Sequence, residues 1–531
     1  MHREPRHYRL LTVALLLPLT ACMVGPNFST PAAPVADRWL ESNDPSVQSD
    51  HQNYEQWWTV FSDATLNRLI DLAYHQNLTL LAAGTRVLEA RATLGVAIGE
   101  LYPQTQGISG NVGYFQASKA DLSSNPNQLR NFWHASLGTQ IAWELDFWGK
   151  FRRGVESADY AYLASIATYD DILVTLLSDV ATTYIGIRTL QRQLEISHEN
   201  VVKQREALEI ATARYQGGAT SELDVYQADN VLSQTESTIP QLTAELQQGE
   251  NALRELLGMT PASLDALLEG PKDIPVPPSD VAVGIPADLV RRRPDIRSAE
   301  LSAAAQSAQI GMAKADLFPA FTLNGAFGTS AANANHKPLS DLFTEGAIQF
   351  AFGPSFSWPV LNYGQITNTV RVQDARLQAR LIDYQNAVLK AQREVEDALT
   401  GFLHGRQQVD LLRRSVTAAT NALRVSIDQY TLGTRDFTTV LNAEQNLYQA
   451  QSDLAAASGS VSTNLTSVYR SLGGGWQLRE GGAFVNDATQ TEMRDRTNWG
   501  FLLPAAGEPQ PPAPGLPAPS DKAPNVQPPK W

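Results

Sequence analysis

Cysteine is almost absent: the 531-residue chain holds one, Cys22. A lone thiol excludes intrachain disulfides and every multi-cysteine metal site. The eight histidines (His2, His7, His51, His75, His134, His198, His336 and His404) are scattered. None stands in a His-x-x-x-His pair, so a helical zinc motif is missing. A Walker loop, a G-x-S-x-G elbow and a convincing G-x-G-x-x-G are lacking as well. The expectation is no catalytic residue, no metal and no enzyme activity. An apolar share of 43% suffices for a folded protein but not for a bundle of membrane helices. Basic residues are in deficit, 41 Lys and Arg against 55 Asp and Glu, which argues against nucleic acid as a partner.

The N-terminus is an address. Arg3, Arg6 and Arg9 precede an apolar run from Leu10 to Leu19, broken by Pro18. The run falls short of the roughly 20 residues of a spanning helix and has the form of a secretory signal. It ends in Leu19-Thr20-Ala21-Cys22, which resembles the lipobox of bacterial lipoproteins. That resemblance implies cleavage between Ala21 and Cys22 and a covalent lipid on Cys22, with no other cofactor. Met23 follows where an aspartate would resemble an inner-membrane retention signal, so the outer membrane is favoured. The alternative is an ordinary signal peptide with an incidental cysteine.

The chain repeats itself. Trp143 and Gly149 match Trp358 and Gly364, Tyr215 and Gly218 match Tyr430 and Gly433, and Leu257-Gly258 matches Leu472-Gly473. Each pair is 215 positions apart. A fixed offset sustained this far indicates a tandem duplication. The pattern divides the chain into a signal peptide (1–21), a lipidated extended segment (22–62), repeat 1 (63–270), repeat 2 (271–475) and a C-terminal segment (476–531). The Pro-rich tail of that last segment, from Pro504, should be disordered. Each repeat reads as a helix (Asp63 to Leu101; Pro286 to Leu317), two strands, a very long helix, a glycine turn and a return helix.

The strands alternate. Trp133, Ala135, Leu137, Thr139, Ile141, Trp143 and Leu145 interleave with small and polar residues. Ile348, Phe350, Phe352, Pro354, Phe356 and Trp358 do the same, and the partner strands carry Ile108 to Tyr114 and Phe321 to Phe327. A period of two puts each set on its own face. A half-buried sheet on a soluble core is the bland reading. Strands long enough for a bilayer, a small polar second face and tryptophans near the strand ends favour a transmembrane barrel instead. Four strands cannot close one, so the chain must oligomerise.

The long helices, Phe151 to Tyr215 and Ile366 to Tyr430, contain no proline. In the second, steps of four and three residues from Leu377 to Tyr430 meet only Gly405 and Ser426 as non-apolar positions. A 3.5-residue repeat of this length indicates coiled-coil packing. About 65 residues extend on the order of 100 Å. The fold class expected is mixed α and β, mainly α: α-barrel helices plus a four-strand share of a transmembrane β-barrel.

Several motifs resemble the TolC-like outer membrane factors, in particular the NodT-like lipoprotein branch. They are Cys22 to Phe28, Trp57-Trp58, Ile285 to Ile296 with its Arg291-Arg292-Arg293-Pro294 run, and the two turns, Arg214 to Gly218 and Gln429 to Gly433. The resemblance implies a homotrimeric efflux duct in outer-membrane lipid. Its hairpin tips would dock a periplasmic adaptor that links to an inner-membrane transporter of the resistance–nodulation–division class. Arg214, Tyr215, Gly217, Gly218, Tyr430 and Gly433 are the tip positions. The family's acidic entrance residues match Asp224 in repeat 1, but neutral Thr439 and Asn442 in repeat 2, with Asp436 nearby. Asp224 reads equally as a helix-start carboxylate. Two other functions compete with a duct: a structural or adhesion lipoprotein, and an enzyme using Glu394, Glu396 and Asp397.

Overall fold

The computed structural model describes residues 23–48, 54–118, 130–270, 272–278, 280–284, 286–335, 338–479 and 482–503. Ala21, Cys22 and the tail from Pro504 lie outside the described residues. In chain order the elements are β1 (Val47–Gln48), α1 (Ala64–Gln76), α2 (Leu78–Gly99), β2 (Thr105–Gln116), β3 (Asn131–Leu145), α3 (Lys150–Gln216) and α4 (Glu222–Leu256). There follow β4 (Val281–Ala282), α5 (Pro286–Arg292), α6 (Pro294–Ala315), β5 (Ala320–Ala332), β6 (Ile348–Ser357), α7 (Gln365–Thr431), α8 (Phe437–Ser471) and α9 (Asp487–Arg496). The two long helices have 67 residues each and their return helices 35 each.

Both long helices start at a glycine in the left-handed region, Gly149 at φ +77° and Gly364 at φ +82°. At Gly149 crowding adds to the constraint, since a Cβ would stand 2.7 Å from the Met23 side chain. The apolar seam read from α7 is buried or half-buried at every position from Leu377 to Tyr430. Helix α3 is the hub, packing on α2, α4, α6 and α8. Its most apolar 18-residue window is 61% buried inside the protein, so that apolarity belongs to the core.

One expectation is corrected. The helices at the start of each repeat are not continuous: the first breaks at Asn77 and the second at Arg293. Asn77 Oδ1 accepts from Leu80 N at 2.9 Å, capping α2, while its Nδ2 donates to Leu256 O at 2.9 Å. That second bond joins the start of α2 to the end of α4. Arg293 does the same work in the other half, donating to Ser471 O at 2.9 Å where α8 ends. Pro294 then fits the first helical position, where no backbone donor is needed. Short helices therefore abut end to end, α4 on α2 and α8 on α6, each pair flanking a long one.

The main sheet has the order β2-β3-β5-β6, antiparallel throughout, leaving β2 and β6 as edges. Tryptophans at equivalent positions hold it to the helices. Trp143 Nε1 donates to Leu101 O at 3.2 Å, and Trp358 Nε1 to Leu317 O at 3.0 Å.

Candidate functional site

Two regions stand out: the uncovered sheet and the glycine turns about 100 Å away along the helices. Directly opposed residues of antiparallel strands share a face. The register sets Val112 against Ala135, Gly110 against Leu137 and Ile108 against Thr139. It continues with Thr139 against Phe327 and Ile141 against Gly325, then Phe327 against Phe350 and Gly325 against Phe352. All the apolar rows read from the sequence thus fall on one face. The other face carries Ser109, Asn111, Ser136, Gln140, Asn324, Ser330, Gln349 and Ser355.

Among the described residues no α-helix packs on either face, and only the short 3-10 turns between Asn333 and Ala347 touch β3 and β5. Phe350 and Phe352 are 81% and 76% exposed, and Ile108, Val112, Leu137, Ile141, Phe327 and Phe356 are exposed with them. This overturns the half-buried sheet on a soluble core. A water-soluble protein rarely leaves so large a continuous apolar patch. The edges β2 and β6 also present unpaired backbone groups, which lipid does not tolerate.

At the opposite end α3 and α7 finish in matching turns. Gly218 N donates to Tyr215 O at 2.9 Å and Ala219 N to Arg214 O at 2.9 Å. Gly433 N and Thr434 N repeat this with Tyr430 O and Gln429 O, at 3.0 Å each. Gly218 and Gly433 take φ +71° and +72°, with open space around them. Gly217 has φ −77° and needs no glycine. The two predicted tyrosines separate. Tyr215 is exposed, whereas Tyr430 is 5% exposed and packs on Phe437 at 5.0 Å. Arg214 joins the turns: its guanidinium lies 4.4 Å from the Tyr430 ring centre and Nη1 donates to Tyr430 O at 2.9 Å.

Asp224 lies in the first turn of α4 and accepts from the Thr220 hydroxyl. Asp436 caps α8, accepting from Thr439 N at 3.3 Å and Thr439 Oγ1 at 2.7 Å. These bonds, the hydroxyl first, hold its carboxyl below the usual range. Asn442 is exposed. Sequence reasoning passed over Leu223, Tyr226 and Leu432 as tip surface, yet all are well exposed, Leu432 at 77%. The available signal was that Leu432 lies past the end of the heptad seam.

The acidic trio of α7 does not converge on a site. Glu394 accepts from Arg293 Nη2 at 2.8 Å, Glu396 Oε1 from Leu40 N at 2.9 Å, and Asp397 is exposed. The arginine run gains a structural meaning instead. Arg293 forks onto Asp295 at 2.9 and 2.8 Å and reaches Glu394, while Arg292 lies 4.7 Å from the Tyr54 ring centre. Nearby, Asp171 is pushed up to about 6 by burial first and by the Asp295 carboxylate next.

Comparison with known proteins fits this geometry. The family model described as "Outer membrane efflux protein" matches residues 69–259 and 285–474, two stretches of nearly equal length. Nodulation protein T of Rhizobium leguminosarum bv. viciae is 32% identical over 451 residues, covering 85% of this chain and 90% of that protein. Outer membrane protein OprJ of Pseudomonas aeruginosa is 29% identical, covering 87% of this chain and 95% of its own. Among solved structures, the outer-membrane channel OprN superposes with a TM-score of 0.79 at 31% identity, covering 86% of this chain and all of that one. A CusC structure gives 0.73 at 26% identity, with 86% and 100% covered.

Proposed function

The chain belongs to the outer membrane efflux protein family, and from that premise we propose that it is the exit duct of a tripartite efflux pump. It is an outer-membrane channel subunit through which exported small molecules pass without chemistry by the duct itself. The observation that carries this reading is a sheet with one apolar face, one polar face and two open edges, fused to helices of 67 residues.

The same features support a finer reading of the assembly. A homotrimer would bring twelve strands into one closed barrel, β2 of each copy pairing with β6 of the next, and remove the open edges. The apolar face meets lipid and the polar face lines the lumen. The halves 63–270 and 271–475 descend from a tandem duplication, since each supplies a strand pair, a long helix and a return helix. Cleavage after Ala21 and acylation of Cys22 add a lipid anchor. Residue 23 lies against Gly149 at the base of the sheet, so the anchor would sit at the membrane edge.

The tips form the docking end for a periplasmic adaptor joined to an inner-membrane transporter of the resistance–nodulation–division type. Arg214, Tyr215, Gly217, Gly218, Tyr430 and Gly433 shape that end, and Leu223, Tyr226 and Leu432 offer it apolar contact. Asp224, Asp436 and Asn442 stand at the entrance.

Purified full-length protein in planar bilayers tests the duct. The expected result is discrete ion conductance from a species with the mass of three chains. A structural or adhesion lipoprotein would give no pore.

A further inference from the structure

One carboxylate in the lower half of the bundle serves neither the sheet nor the turns. Glu444 lies two turns into α8, 4% exposed, between Leu441 and Leu447 of the apolar cluster that holds the tip together. Its Oε2 has no hydrogen-bond partner. On α3, Gln204 is 2% exposed, and neither its amide nitrogen nor its amide oxygen has a partner. Two contacts fix the register of these helices. Asn200 Nδ2 donates to Gln451 Oε1 at 2.9 Å, and Ser197 Oγ bonds Tyr448 Oη at 3.1 Å. One further turn toward the tip brings Gln204 level with Glu444.

The neighbouring helices offer the carboxylate no charge. Helix α4 presents Val231 and Thr235, whose hydroxyl donates to Val231 O at 3.2 Å. Helix α7 presents Leu423 and Ser426, whose hydroxyl donates to Leu423 O at 2.8 Å. The ionisable side chains at this level point outward: Lys203, Arg205 and Glu206 of α3, Asp229 and Glu236 of α4, Arg424 and Asp428 of α7. Arg205 pairs with Glu236 at 2.7 Å and Arg424 with Asp428 at 3.9 Å. Tyr448, the nearest ionisable group on α8 itself, is bonded to Ser197 and Thr238. An ionised carboxylate here would be buried without a counter-charge, which is costly enough that the neutral form is favoured.

We propose that Glu444 and Gln204 form a proton-operated latch, in which a neutral Glu444 keeps the tip end of α8 docked on α3 and its ionisation loosens that docking. The proton released goes to bulk water. Burial alone pushes the carboxyl up to about 7 from its ordinary 4.5. The docked state thus binds the proton more tightly than the loosened one. Docking stability is fully present below about 4.5 and is lost as pH rises through about 7. Between pH 5 and pH 8 the docked-to-loosened ratio falls on the order of tens-fold. The latch depends on the duct reading only for its consequence, an entrance that yields more readily at higher pH.

Hydrogen exchange on the full-length channel tests it without transport. Amide protection across residues 437–451 is compared at pH 5 and pH 8, corrected for the intrinsic pH dependence of exchange, in the native chain and in Glu444→Gln. The native chain should lose protection at least threefold with a midpoint near 7, and Glu444→Gln should stay protected at both values. A loss under threefold, a midpoint below 5, or an equal loss in Glu444→Gln overturns the latch. Should Glu444→Gln fail to fold, the native midpoint alone decides.

Discussion

Arg293 shows how one side chain can hold two helix ends together. It is 8% exposed, and its guanidinium donates to the end of α8, to both oxygens of Asp295 and to Glu394 of α7. Arg293→Ala would take the guanidinium from Asp295 and leave Glu394 with only Lys390, 3.7 Å away, at a half-buried joint. Breaking such a pair costs about 3 kcal/mol, the lower end of the usual range because both carboxylates keep some water. Arg293→Lys keeps the charge but not the planar fork, and should recover less than half of the loss. Thermal unfolding followed by circular dichroism measures both. The turn glycines give a sharper contrast. Gly218 needs its left-handed conformation, so Gly218→Ala should cost about 1–2 kcal/mol. Gly217→Ala, one residue earlier at φ −77°, should cost almost nothing by the same assay.

At the scale of elements, the strands and long helices were legible because one environment acts along their whole length. The alternation of β3 and β6 runs their whole length because each face meets one environment, with no α-helix packed on it among the described residues, and the α7 seam keeps its repeat because one flank packs throughout. The breaks at Asn77 and Arg293 were not legible from periodicity, which runs straight through them. Asn77 earns its place from a contact 179 residues away. Pro294 was a local signal that should have stopped the helix one residue earlier. Glu444 also had a readable signature, a charge at a seam position of α8, but its burial depends on α3. The two faces of β3 make a direct prediction. Ile141→Arg places a charge toward lipid and should cost roughly 2–4 kcal/mol of barrel stability near mid-membrane. Gln140→Arg, on the lumen face, should assemble normally. The yield of heat-resistant oligomer in each variant separates the two outcomes.

For the molecule as a whole, length and exposure carry the functional reading. Each half places an uncovered sheet at one end of a rod and a glycine turn at the other. The N-terminal residues run down the outside of this rod. Val24 bonds Trp148 O at 3.0 Å, Ala36 and Leu40 bond Gln392 and Glu396 of α7, and β1 pairs with β4. None of these partners could be read from the sequence, since each lies more than a hundred residues away. The central claim is that the sheet stands between lipid and water. Nitroxide scanning of β6, position by position from Ile348 to Ser357 in the membrane-reconstituted oligomer, tests it most directly. The account predicts that oxygen accessibility peaks at Ile348, Phe350, Phe352 and Phe356, with a water-soluble relaxant favoured at Gln349, Ala351, Gly353 and Ser355. Equal accessibility of both sets to the water-soluble relaxant would contradict it.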